Sequence, residues 1–151
     1  MKSIKVKIKK LNKEGLETAK PAYATAGAAG VDLHACLDKE IVLQPGEICK
    51  VPTGWAIELP DAQTVALVFA RSGLASKHGI TLINGVGVVD SDYRGEVQVP
   101  LINLGRKAFP VRPGERIAQM VFLPVLQAEL EEVNELGVTE RGAGGFGSTG
   151  V

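Results

Sequence analysis

Thr81-Leu-Ile-Asn-Gly-Val-Gly-Val-Val89 places apolar runs on both sides of Asn84-Gly85. Asparagine and glycine accept the positive φ of a two-residue turn, so the stretch predicts a β-hairpin between residues 81–83 and 86–89. The chain around it reads in the same way. Further candidate strands are residues 4–8, 31–36, 40–43, 48–51, 55–59, 64–69, 96–103 and 116–122, with a last run near 127–133. Turn signals such as Gln44-Pro-Gly46, Leu59-Pro-Asp61 and Arg112-Pro-Gly114 punctuate them at the spacing of a sandwich or barrel. No helical period, internal repeat or linker interrupts the pattern. The expectation is one all-β domain, a jelly-roll-like β-sandwich or barrel with one short helix and a glycine-rich C-terminal tail.

That helix is Ser72-Gly-Leu-Ala-Ser-Lys-His78, with Ser72 as the expected cap and Gly79 just past its end. Its free N–H groups, with Arg71 beside them and Gly73 giving close access, would suit an anion. The alternative is a plain capped turn between two strands.

At 151 residues the chain is large enough for its own core. Lys plus Arg and Asp plus Glu balance at 17 each, so no basic excess points to nucleic acid or a membrane surface. No apolar run approaches the roughly 18 residues that span a bilayer. The opening Met1-Lys-Ser-Ile-Lys-Val-Lys-Ile-Lys9 alternates charged and aliphatic residues, unlike a signal peptide, and predicts an amphipathic edge strand. Cys36 and Cys49 are too few for a disulfide framework, and His34 with Cys36 lacks a second ligand pair for zinc. Free thiols in a cytoplasmic protein are the expectation.

Two stretches carry chemistry of their own. Asp90-Ser-Asp-Tyr-Arg-Gly-Glu96 follows the expected hairpin, where a strand end would hold a carboxylate rigidly; a polar turn is the bland alternative. A calcium loop is excluded, because Arg94 and Leu101 stand where oxygen ligands belong. Arg141-Gly-Ala-Gly-Gly-Phe-Gly-Ser-Thr-Gly150 combines loose backbone with groups that pair with phosphate and stack on a ring. It matches G-x-G-x-x-G and nearly a P-loop, but no helix-length sequence follows it and the P-loop lysine is missing. The tail reads either as a frayed terminus or as a segment that orders over ligand.

In order along the chain, Ala29-Gly-Val-Asp-Leu33, Ala70-Arg-Ser-Gly-Leu-Ala75, Gly87-Val-Val-Asp-Ser-Asp-Tyr-Arg-Gly95, Arg116-Ile-Ala-Gln119 and the 141–150 tail resemble the five motifs of the trimeric dUTPases. The resemblance runs from about Pro21 to Gly150, and the departures, Val31 and Val89 among them, are conservative. It implies hydrolysis of dUTP to dUMP and pyrophosphate, limiting uracil in DNA and supplying dUMP for dTTP synthesis. It also implies a homotrimer with active sites between subunits, a β core over 1–136 and a mobile lid over 137–151.

Residue by residue, the likeness makes Asp90 the general base toward water attacking the α-phosphorus. A carboxylate is a weak base, so positioning and charge neutralisation must supply most of the rate. Mg²⁺ would be held by phosphates and waters, with Asp32 touching its water shell. Arg71, Ser72 and Gly73 would hold phosphate at the helix start, and Gln119, Arg141, Gly147, Ser148 and Thr149 the distal phosphates. Asn84, Val88, Val89 and Gln98 would surround uracil and sugar. Tyr93 would pack beneath the deoxyribose and exclude a 2′-hydroxyl, and Phe146 would stack on the base. Arg116 is read as a strand residue or a carboxylate partner outside the site, and His78 has no assigned role. The rival readings are a dCTP deaminase-like enzyme, separated by ammonia release, and a non-catalytic nucleotide-binding trimer.

Overall fold

A computed structural model describes residues 3–11 and 13–145. Eleven strands and one helix follow in the order β1 Lys7–Lys10, β2 Ala22–Tyr23, β3 Val31–His34, β4 Ile41–Leu43, β5 Ile48–Glu58 and β6 Thr64–Ala70. Helix α1 Ser72–His78 comes next, then β7 Ile80–Leu82, β8 Gly87–Val89, β9 Glu96–Asn103, β10 Phe109–Val111 and β11 Arg116–Pro124. One sheet has the order β1-β5-β9-β7 and the other β2-β3-β11-β6-β8, while β10 and β4 form a separate pair. All pairings are antiparallel.

Alternation along each strand builds the core. Thr64, Ala66 and Val68 of β6 are buried, as are Val97, Val99 and Leu101 of β9 and Val31 and Leu33 of β3. Apart from the polar Thr64, these residues join Leu43, Ile57, Ile80, Val111, Ile117 and Met120 in one cluster fed by both sheets. Each large aliphatic side chain buried there contributes about 1.5–3 kcal/mol. Buried polar groups are satisfied within it. The Thr53 hydroxyl donates to Val97 O at 2.6 Å, and the Asn103 amide donates to Leu43 O and Lys107 O.

The jelly-roll-like expectation holds, with several local corrections. The stretch around Asn84-Gly85 turns as expected, with Gly85 at φ 69° and its N–H bonded to Leu82 O at 3.0 Å. Its arms do not form a hairpin. β7 pairs with β9 in one sheet, whereas β8 pairs with β6 in the other. The turn is an arch between sheets. Residues 48–51 and 55–59, expected as two strands, are one strand, β5, with a register shift against β9 between Pro52 and Ala56. Gly54, at φ 77°, takes up that bulge.

Ser72 does not cap α1. Arg71 is the N-cap residue and no side chain caps the helix, while Gly79 closes it in the left-handed conformation at φ 72°. The first strand is shifted to Lys7–Lys10 and pairs only with β5, so it is an edge as expected. The short strands β2 and β10 had no distinct sequence signal. The expected strand near 127–133 is absent: neither strand nor helix occurs from residue 125 to 145. Leu126, Leu130, Leu136 and Val138 there are almost fully exposed. Among the described residues no strand pairs with this segment.

Candidate active site

The inter-sheet arch and the start of β9 enclose a groove of about 310 Å³. Asn84, Val88, Val89, Asp90, Tyr93 and Gln98 all line it. Asn84 comes from the arch, Val88 and Val89 from β8, Asp90 and Tyr93 from the following turn, and Gln98 from β9. That turn is closed by the Tyr93 N–H donating to Asp90 O at 3.2 Å. Gly87 keeps β8 close to β6, since a Cβ there would lie 3.2 Å from Val68 Cβ. The Asp90 carboxylate is exposed and has no ion pair or side-chain hydrogen bond among the described residues. An unpaired carboxylate at a strand end can accept a proton from a bound water.

Two charged groove residues escaped the sequence reading. Lys50 reaches it because β5 pairs with β9, with Lys50 opposite Pro100. Glu96 lines it while also acting as a brace. Its carboxylate accepts from Lys13 Nζ at 2.7 and 2.8 Å and from the Gly54 N–H at 2.8 Å. Burial alone would raise the pKa of Glu96, but the Lys13 hydrogen bond and the Gly54 N–H outweigh it and hold the carboxyl below its ordinary value. Only the Gly54 bulge, far away in sequence, reveals this role.

A second cluster forms where β3, β11 and the start of α1 meet. Arg71 Nε lies 3.5 Å from Asp32 Oδ1, and Arg116 Nη1 lies 3.2 Å from Asp32 Oδ2. Arg71 Nη1 also donates to Arg116 O at 3.1 Å, and Gln119 Nε2 donates to Ala70 O at 3.1 Å. Arg116 is therefore a carboxylate partner, one of the two roles the sequence left open. Asp32 faces Gln119 across the β3–β11 register. At the helix start the first bond is Ala75 N–H to Arg71 O. The N–H groups of Ser72, Gly73 and Leu74 therefore have no carbonyl within the helix.

Strand β6 separates the two clusters. Val89 lies opposite Ala66, so Asp90 is level with the start of β6, whereas Arg71 immediately follows its end. Six residues of strand separate those levels, about 20 Å. A triphosphate is far shorter. Arg141 is in neither cluster: its Nε donates to Gly144 O at 2.8 Å within a local turn. Phe146, Gly147, Ser148 and Thr149 lie outside the described residues. Among those described, no group of three or more His, Cys, Asp or Glu could hold a metal ion. Cys36 and Cys49 are free, the first buried and the second half-buried. No helix of the described residues is long and apolar enough to cross a membrane.

Comparison with known proteins bears on the family and the fold. A family model described as dUTPase matches residues 17–150. A deoxyuridine 5′-triphosphate nucleotidohydrolase of Desulfitobacterium hafniense is 60% identical over 151 residues, covering 100% of this chain and 99% of the relative. One from Serratia proteamaculans is 52% identical over 150 residues, covering 99% and 98%. Among solved structures, a dUTPase of Staphylococcus bacteriophage 80alpha with dUpNHpp is similar, with TM-score 0.81 and 28% identity over 97% of this chain and 99% of that one. A phage phi11 dUTPase, described as coordinating a structural Mg(II) ion, shares the fold with TM-score 0.74 at 21% identity, over 87% and 97% of the two chains.

Proposed function

The chain belongs to the dUTPase family, and from that premise we propose that it hydrolyses dUTP to dUMP and pyrophosphate at sites shared between copies. The observation that carries the proposal is the separation along β6. One chain holds a pyrimidine-sized groove with an unpaired carboxylate, and, about 20 Å away, a cluster of arginines. A single triphosphate can touch both only if they come from different protomers. In the homotrimer the 137–151 segment of a further copy closes the site, with Arg141, Gly147, Ser148 and Thr149 toward phosphate and Phe146 over the base. The exposed Leu126, Leu130, Leu136 and Val138 support that reading, because a neighbouring copy would cover them.

In the reaction, Asp90 takes a proton from a water whose oxygen attacks the α-phosphorus. The new P–O bond forms as the bond from the α-phosphorus to the α–β bridging oxygen breaks, and the bridging oxygen leaves on pyrophosphate. Arg71, the N–H groups of Ser72 and Gly73, and Gln119 neutralise and orient the phosphates. Arg71 is suited to exchange partners. Its 3.5 Å approach to Asp32 is long for a hydrogen bond, so phosphate can draw it away at small cost. Asp32 then keeps Arg116 and has one oxygen free.

The donor set fits a Mg²⁺ carried by the substrate's phosphates rather than one caged by protein, with the freed Asp32 oxygen toward its water shell. When bound, the ion offsets phosphate charge. Asn84 and main-chain groups of β8 read the uracil edge, Gln98 adds a contact from β9, and Tyr93 lies under the deoxyribose. Buried polar groups left unpaired by a wrong base cost about 1–3 kcal/mol each, which rejects cytosine. A cytoplasmic setting is part of the proposal, and the two free cysteines are in keeping with it. Pyrophosphate release measured in parallel with dUTP, dCTP, dTTP and UTP, with and without Mg²⁺, tests the proposal. Equal cleavage of all four would overturn it.

A further inference from the structure

Gly95 lies two residues after Tyr93, and its backbone gives no conformational reason for glycine. It is not among the positive-φ positions, so its φ does not call for glycine. Space is the reason. A Cβ at Gly95 would lie 2.5 Å from Tyr93 Cζ and 2.9 Å from Cε2, and closer still to the hydroxyl oxygen. The phenol ring rests directly on the Gly95 backbone and fills the volume any side chain would need.

The far end of the ring is fixed as well. The Tyr93 hydroxyl donates to Glu96 O at 2.9 Å. Glu96 is itself immobilised, because its carboxylate, only 12% exposed, is held by Lys13 and by the Gly54 N–H of the β5 bulge. Tyr93 as a residue nevertheless remains 46% exposed and forms part of the groove wall. Its depth in the groove is therefore set from behind by backbone contact and a braced carbonyl, not by packing around its exposed face.

We propose that Gly95 is a positioning residue for substrate selectivity: by having no side chain it seats the Tyr93 ring at the depth that admits deoxyribose and excludes ribose. This rests on the assignment of Tyr93 to the sugar in the proposed function. An added methyl must displace the phenol by about 1 Å and disturb its bond to Glu96 O, and shifts of that size at a reacting site cost up to about 10²-fold in rate. The effect falls on sugar discrimination because the ring is rigid, so pushing it from behind also moves the face exposed to the groove.

The test is a double-mutant cycle read as the ratio of kcat/KM for dUTP to that for UTP. The four proteins are the unaltered chain, Gly95→Ala, Tyr93→Ala and the double variant, each checked for assembly and thermal melting. Gly95→Ala is expected to lower the ratio at least about tenfold, and to lower it no further when Tyr93 is already alanine. Removing the ring removes the clash, so the double variant remains informative if Gly95→Ala alone fails to fold. An unchanged ratio in Tyr93→Ala would show that the sugar assignment itself is wrong. A lowered ratio in Tyr93→Ala with none in a folded Gly95→Ala would overturn the role of Gly95. Equal losses from Gly95→Ala with and without the ring would also overturn it, by showing that the glycine acts through its backbone alone.

Discussion

The two ends of β6 present opposite electrostatic situations. Beyond its start, Asp90 stands exposed with no cation beside it among the described residues. Beyond its end, Arg71 is already tied to Asp32 and to the Arg116 carbonyl. A proton acceptor must be free before substrate arrives, since a paired carboxylate would lose basicity to its partner. Phosphate-binding arginines need the reverse: a holding partner that keeps them ordered and is weak enough to be replaced. The two conditions are incompatible side by side in one empty chain, because Arg71 would pair with Asp90. Holding them about 20 Å apart in one chain, and bringing them together only in the proposed assembly, would satisfy both.

Asp90→Asn should break the base end most severely. The amide keeps size and hydrogen bonding but cannot accept the proton. Turnover is expected to fall by about 10³-fold or more while dUTP binding, measured by calorimetry, stays within a few-fold. Normal turnover in this variant would remove Asp90 from the mechanism.

Arg71→Ala should disable the other end, lowering kcat/KM by about 10²–10³-fold. Mixing it with Asp90→Asn sharpens the comparison. If each site takes its base and its arginine from different chains, co-refolded mixtures should recover about a quarter of full activity from two inactive parents. No recovery, with mixed assemblies demonstrated, would place both groups in one chain. Stopping the chain at Glu140 probes the third contribution. A folded oligomer with activity reduced about 10²-fold is expected, from loss of Arg141 and the residues beyond it. Full activity would mean that the tail is only a frayed end.

Much of this was legible because it depends on local pattern. Alternation located β3, β6, β9 and β11, Gly79 marked the end of α1, and most of the groove residues cluster within 84–98. What failed was partner choice. Asn84-Gly85 specifies a turn but not which strands its arms join. Ile80 and Leu82 bury their side chains beside β9, while β8 completes the edge beyond β6, so the turn becomes an arch. Pro52 and Gly54 read as breakers because the group that satisfies the bulge, Glu96, is more than 40 residues away. The run near 127–133 carries a strand's apolar content, yet no strand among the described residues pairs with it. Gly95 reads as turn punctuation, and only coordinates reveal the ring lying on it.

The smallest expected effect concerns the frame that keeps the groove end rigid. Glu96 has its carboxyl pKa held below 4.5, chiefly by Lys13 and the Gly54 N–H acting against burial. A depressed folded-state pKa means that the unfolded chain binds the proton more readily as the medium turns acid. The stabilisation is therefore fully present above about pH 4.5 and fades as pH falls through the lower folded value. Glu96→Gln should cost about 1.5–3 kcal/mol at pH 7, because a charged hydrogen-bond acceptor is lost and Lys13 is left half-buried without it. That cost should shrink in acid, where the unaltered protein has lost the same contribution. Thermal melting of both proteins from pH 7 down to pH 3 measures the difference. A gap between the melting curves that stays constant across that range would mean that the brace is held by packing and not by the Lys13–Glu96 charge pair.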